Sequence, residues 1–158
     1  GPDWAIRPNQ IFALSLPFPL VEGERARRVL SVIDEHLLTP RGLRSLAPSD
    51  PAYCARYAGG PWERDSAYHQ GTVWGWLIGP YITALCRCHG RVGRQRGRAL
   101  LDGFVAHLNE AGLGTVSEIF DAEPPFAPRG CIAQAWSVAE LLRAGVEDVY
   151  GKGGEDDV

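Results

Sequence analysis

A chain of 158 residues with 45% hydrophobic and 22% charged residues has the size and composition of one soluble globular domain. Its formal net charge of −3 gives no electrostatic footprint for a nucleic acid or an anionic membrane, and its arginines scatter rather than forming one block. The longest apolar stretch, Val73 to Leu85, is too short to span a bilayer and is broken by Gly75, Gly79 and Pro80.

No methionine is present, which reads as a chain that opens after processing or within a domain, and no secretory signal is visible. The four cysteines, Cys54, Cys86, Cys88 and Cys131, fit no zinc pattern. They read as free, mostly buried thiols of a cytoplasmic protein, and no metal or other cofactor is expected.

Five helices are predicted. The first, 8–16, opens on Pro8 at a tolerated first-turn position and is apolar nearly all round. The second, 22–37, carries one apolar stripe of Ala26, Val29, Leu30, Ile33 and Leu37, with charged residues facing away. The third, 71–88, is crowded with Trp74, Trp76, Leu77, Ile78, Tyr81, Ile82 and Leu85, and Pro80 is expected to kink it. The fourth, 93–111, repeats the single stripe with Leu100, Leu101, Phe104, Leu108 and Ala111, and Gly112 offers a stop. The fifth, 130–144, is apolar nearly all round again.

A helix without a polar face is buried on all sides, so the order reads buried, surface, buried, surface, buried. That alternation suggests two concentric layers of antiparallel helices, an α/α toroid. With no convincing period-two pattern, the expected class is all-α with little sheet. Residues 1–149 would form the domain, and 150–158 a flexible acidic tail.

The links 38–70 and 112–130 are long, and in an antiparallel double layer both must emerge at one end. Loops of this length are functional or disordered. Tyr53, Tyr57, Trp62, Tyr68, Phe120 and Phe126 make these too aromatic for disorder, so that end reads as a binding face.

The first loop closes on PWERDSAYHQGTVW (61–74), whose aromatic and planar polar side chains suit a sugar. The bland alternative is a loop pinned by a Glu63–Arg64 or Arg64–Asp65 pair, with tryptophans filling the core. The second loop holds Glu118, Asp121 and Glu123 beside Phe120 and Phe126. A carboxylate in that setting suits general acid or base work. Against this, Thr115-Val116-Ser117-Glu118 matches a helix capping box, the reading that spacing alone prefers, although Pro124 and Pro125 leave room for barely one turn. Among His36, His69, His89 and His107, only His69 has an interesting setting, and none has metal-ligand spacing.

RPNQIFALSLP (7–17), LLTPRGLRSLAPSDPAY (37–53), PWERDSAYHQGTVWGWLIGP (61–80) and GLGTVSEIFDAEPPFAPRGCIAQAWSVAELLR (112–143) together resemble the C-terminal domain of bacterial and archaeal glycogen-debranching enzymes, the amylo-α-1,6-glucosidase family. The resemblance implies part of an (α/α)6 glycosidase barrel. YHQGTVW is similar to the sugar-lining turn of related trehalases, and SEIFD falls where those relatives carry their catalytic base. It therefore implies Glu118 as general base, with Asp121 in reserve. Trp74, Tyr68, His69, Gln70, Gln134 and Trp136 would line a glucose subsite. Ser66, Gly75 and Ala122 depart from the family's usual glycine, proline and glycine. The family also commonly has a histidine near Phe126 and a tryptophan near Gly145. The family's general acid, in a tryptophan–methionine–aspartate motif, has no counterpart here.

The resemblance implies hydrolysis of α-1,6-linked glucose stubs on branched α-glucans by the parent enzyme, through inversion. The alternative is a non-catalytic α-glucan-binding or assembly module that completes a barrel with a separate chain. The expected partners are an α-glucan and the remainder of the barrel, or a second copy, with no nucleic acid or membrane.

Overall fold

The computed structural model describes residues 3–151. Pro8, with no N–H to leave unbonded, opens a 3₁₀ turn, Pro8–Ile11, that runs into α1 (Phe12–Ser15). Helix α2 (Gly23–His36) buries Ala26, Leu30 and Ile33, with Leu37 beneath its C-terminus, as the stripe predicts.

The buried stretch after residue 71 does not begin as a helix. Val73–Trp74 form a strand, β3, followed by a 3₁₀ turn, Gly75–Leu77, and only then by α4 (Ile78–Gly103). Pro80 is therefore in the first turn of α4, where a missing N–H and a fixed φ are harmless, and it does not cause the bend. The break is at Gly90, whose φ of 52° and ψ of −125° are non-helical. The two arms fold back on one another there. An added Cβ on Gly93 would strike the Leu85 carbonyl, and one on Gly97 would press on Ile82. Two glycines one helical turn apart thus let the arms approach closely. The second arm ends at Gly103 rather than near residue 111, and a 3₁₀ turn, Ala106–Asn109, follows.

The first arm of α4 is the centre of the core. Ile78, Tyr81, Ile82 and Leu85 are fully buried against Ile11, Leu14, Leu30 and Ile33. Tyr81 satisfies its hydroxyl by donating to Asp34 at 2.5 Å, and Arg96 closes on the other Asp34 oxygen at 3.0 Å. Burial and that bond push the Tyr81 phenol far above its ordinary range. Cys86 and Cys88 are half-buried, and burial raises both thiols, Cys86 to about 11. Of the other two cysteines, Cys54 is half-buried and Cys131 is exposed.

The all-helical expectation needs correction. About half of the chain is helical, and a five-stranded antiparallel sheet joins the two long loops. Its order is β1 (Leu38–Thr39), β2 (Gly42–Arg44), β3, β4 (Ile119–Phe120) and β5 (Pro128–Arg129). Leu43 pairs with Trp74, Trp74 with Ile119, and Ile119 with Arg129. None of these five strands exceeds three residues, too short to print a period-two pattern. Gly42 has a φ of 132°, and a Cβ there would collide with the Trp74 carbonyl. Pro128 falls on the edge strand, where no ladder donor is required.

The fifth helix is also shorter and barer than expected. Helix α5 (Ala135–Arg143) starts five residues late and continues as a π-helix, Ala144–Val149. It is not buried on all sides: Trp136 and Leu142 on α5, like Ile132 before it and Val146 in the π-helix, are exposed, because only one side packs on α4 and the 75–77 turn. Of the acidic tail 150–158, only Tyr150 and Gly151 are among the described residues. No helix among the described residues is long and apolar enough to cross a membrane.

Candidate active site

Helix α3 (Pro61–Ala67) supports the first half of the site. It has Pro61 at its start and only Ala67 buried, so no apolar stripe announces it in the sequence. Its end delivers the turn Tyr68–His69–Gln70, which folds back on β3. The Tyr68 carbonyl accepts from the Thr72 hydroxyl at 2.7 Å and from the Trp74 indole N–H at 3.1 Å. Arg7 staples the turn from outside, donating to the His69 carbonyl at 2.8 Å, the Ser45 carbonyl at 3.2 Å and the Gln70 Oε1 at 2.7 Å. The expected pins do not form: among the described residues, Glu63, Arg64 and Asp65 make no ion pair.

Aromatic rings run on from this turn. Tyr57 meets Tyr68, Tyr68 meets Trp74 edge-on at 4.8 Å, and the His69 ring stacks on Trp74 at 5.1 Å with 2° between planes. Trp136 approaches Trp74 at 6.2 Å and stacks on Trp76 at 5.2 Å, and Phe12 stacks on Trp76 beyond. A cavity of about 340 Å³ opens beside them, walled by Arg7, Ser45, His69, Trp74, Trp76 and Trp136 among others. Largely apolar walls that include aromatic rings, with a few polar groups, are the usual makeup of a ligand pocket. Trp74 is 7% exposed, so Trp136, at 47%, presents more ring to solvent.

Glu118 is in the run that leads into β4. No helix begins at Thr115, and Glu118 does not turn back to cap one. Its Oε1 accepts from the Tyr68 hydroxyl at 2.5 Å and from Gln134 at 3.3 Å, and its Oε2 from the Cys131 amide at 3.0 Å. The capping-box reading is thereby overturned. Burial, then the Glu118 bond, pushes the Tyr68 phenol far above its ordinary range, so it remains a neutral donor. Glu118 is not part of the cavity wall; its partner Tyr68 stands behind that wall, its ring against His69 and Trp74.

The neighbouring acids are engaged elsewhere. Asp121, buried, accepts from Arg129 at 2.8 and 3.1 Å and from the Tyr57 amide at 3.0 Å, which ties the two loops together. Glu123 takes the Tyr53 hydroxyl at 2.8 Å and Arg44 at 3.4 Å. Burial and that carboxylate push the Tyr53 phenol up to about 12.

Tyr68, His69, Gln70, Trp74, Glu118, Gln134 and Trp136 are thus joined through direct contacts, with Arg7 completing the set. Sequence reasoning missed Arg7, Tyr57 and Trp76 as site residues. The available signal for Arg7 was its place at the head of RPNQIFALSLP.

Residues 1–143 match the family described as amylo-alpha-1,6-glucosidase. The chain belongs to that family. It is 36% identical over 161 residues to the glycogen debranching enzyme of Saccharomyces cerevisiae, an alignment covering 89% of this chain and 10% of that protein. The chain therefore spans about a tenth of the length of the curated relative it matches. Similarity within the amylo-alpha-1,6-glucosidase family reaches beyond the bacterial and archaeal members that the sequence motifs resemble.

Proposed function

We propose that this chain contributes the base side of a glucosidase site that hydrolyses α-1,6-linked glucose stubs on glycogen-like α-glucans with inversion. It does so as part of an (α/α)6 barrel in the cytoplasm. The carrying observation is the Glu118 carboxylate, held by the Tyr68 hydroxyl and Gln134, whose neighbours Trp74 and Trp136 wall the cavity. Family membership supports the substrate class.

In this reading a glucose unit rests against His69, Trp74 and Trp136, with Gln70 and Gln134 near its hydroxyls. A carboxylic acid from elsewhere in the barrel protonates the leaving glycosidic oxygen. Glu118 takes a proton from a water that attacks the anomeric carbon on the opposite face. The carbon–oxygen bond breaks as the new one forms, and the α-linked sugar leaves as β-glucose.

The test is the anomer released by the full-length protein from an α-1,6-linked substrate, followed by NMR before mutarotation. β-Glucose as first product supports the reading; α-glucose makes the reaction retaining and removes Glu118 as a water-activating base. One observation favours the assembly-module alternative: Leu142 on α5, Ile132 before it and Val146 in the π-helix after it are apolar side chains left open to further protein.

A further inference from the structure

His107 is fully buried just after α4, and the proposed reaction does not use it. Its two ring nitrogens have different partners. Nε2 is 3.1 Å from the Ser117 amide nitrogen, which can only donate, so Nε2 must be the acceptor. The proton is therefore on Nδ1, which lies 2.9 Å from the Glu110 carboxylate. Arg41 holds Glu110 at 2.7 Å and also lies over the Phe120 ring, whose edge contact with His107 is 4.8 Å. The His107 hydrogen bond pulls the Glu110 carboxyl below its usual range, so the acceptor remains ionised.

Ser117 immediately precedes Glu118. The backbone at Glu118 is fixed on both sides as well, its N–H donating to the Cys131 carbonyl at 2.9 Å and its carbonyl accepting from Gly75 at 3.4 Å. The Ser117 amide has a side-chain acceptor instead of a strand partner, because pairing in β4 begins only at Ile119. We propose that the chain Arg41–Glu110–His107 is a positioning device: it anchors the Ser117 amide and thereby sets where the Glu118 carboxylate stands. His107 touches no substrate in this scheme and acts through the backbone. The inference rests on Glu118 being the base.

The test uses the full-length protein with His107→Leu, His107→Gln, Glu110→Leu and Glu118→Gln, each scored for folded fraction, kcat and KM. A displaced base lowers kcat without weakening substrate binding. His107→Leu is therefore expected to lower kcat about 10–10²-fold while KM stays within about twofold. His107→Gln, whose amide oxygen offers the Ser117 N–H an acceptor at similar reach, should recover part of that loss. Glu110→Leu, at a more exposed position, should give a smaller kcat loss with the same unchanged KM, and it decides the matter if His107→Leu does not fold. Unchanged kcat per folded molecule in the leucine variants overturns the proposal, as does a glutamine variant no better than leucine. Normal turnover by Glu118→Gln removes the base itself, and that separate pattern takes the inference down with it.

Discussion

Glu118→Gln separates chemistry from architecture because the two effects differ in size. The carboxylate accepts three hydrogen bonds, at 2.5 Å from Tyr68, 3.0 Å from Cys131 and 3.3 Å from Gln134. Glutamine has nearly the same volume, so no cavity forms. Turned with its oxygen toward the Cys131 amide, its NH₂ donates to the Tyr68 oxygen, and neither close partner is orphaned. What is lost is charge assistance, the difference between about 1.5–3 and about 0.5–1.5 kcal/mol per bond. Glu118 is half-buried, which screens it, so we expect a destabilisation of about 1–2 kcal/mol. For a domain of this size that lowers Tm by roughly 2–8 °C. Losing a general base costs about 10²–10⁴ in rate, or about 2.7–5.4 kcal/mol of activation free energy. With an ordinary stability of about 5–15 kcal/mol, the folded fraction stays near unity at 25 °C, so the stability loss cannot imitate the rate loss. The assay is glucose release from an α-1,6-linked oligosaccharide by the full-length protein, alongside calorimetric Tm and ligand affinity. Turnover within about threefold of the parent, with a lowered Tm, would refute the reasoning and leave Glu118 a structural acceptor.

Trp74→Phe in the full-length protein loses the indole N–H bond to the Tyr68 carbonyl, which keeps the Thr72 hydroxyl, so stability should fall only about 1–2 kcal/mol. Sugar affinity should fall by more than tenfold, about 1.4 kcal/mol; unchanged titration-calorimetry affinity with lowered stability would make the ring core alone. For Tyr53, the folded pKa of about 12 lies above the ordinary 10, so its contribution is fully present below pH 10 and declines as pH rises toward 12. Tyr53→Phe should therefore flatten that alkaline decline in chemical denaturation; an identical slope in both proteins counts against the Tyr53–Glu123 bond. The 158-residue chain alone should self-associate through Ile132, Leu142 and Val146, at 62%, 64% and 67% exposure, and release no glucose. A monomer at every concentration in sedimentation, or sustained turnover, contradicts this.

Local patterns carried much of the outcome. The stripe Ala26, Leu30, Ile33, Leu37 determines α2 because burying one helical face needs no knowledge of the partner, and Pro8 marks a helix start through its own ring. The order of motifs disclosed the family. What the sequence left open depends on pairs distant along the chain. The sheet exists because Leu43, Trp74 and Ile119 align from three separate segments, each too short to show alternation. Spacing alone favoured a cap for Glu118, and only the fold brings Tyr68 and Gln134, 50 and 16 residues away, to its oxygens. Arg7 reaches the turn 62 residues on, and α5 looks buried by composition yet is bare, since burial is a property of neighbours. Periodicity reports how a segment meets water; which side chains meet each other is decided only when the chain closes.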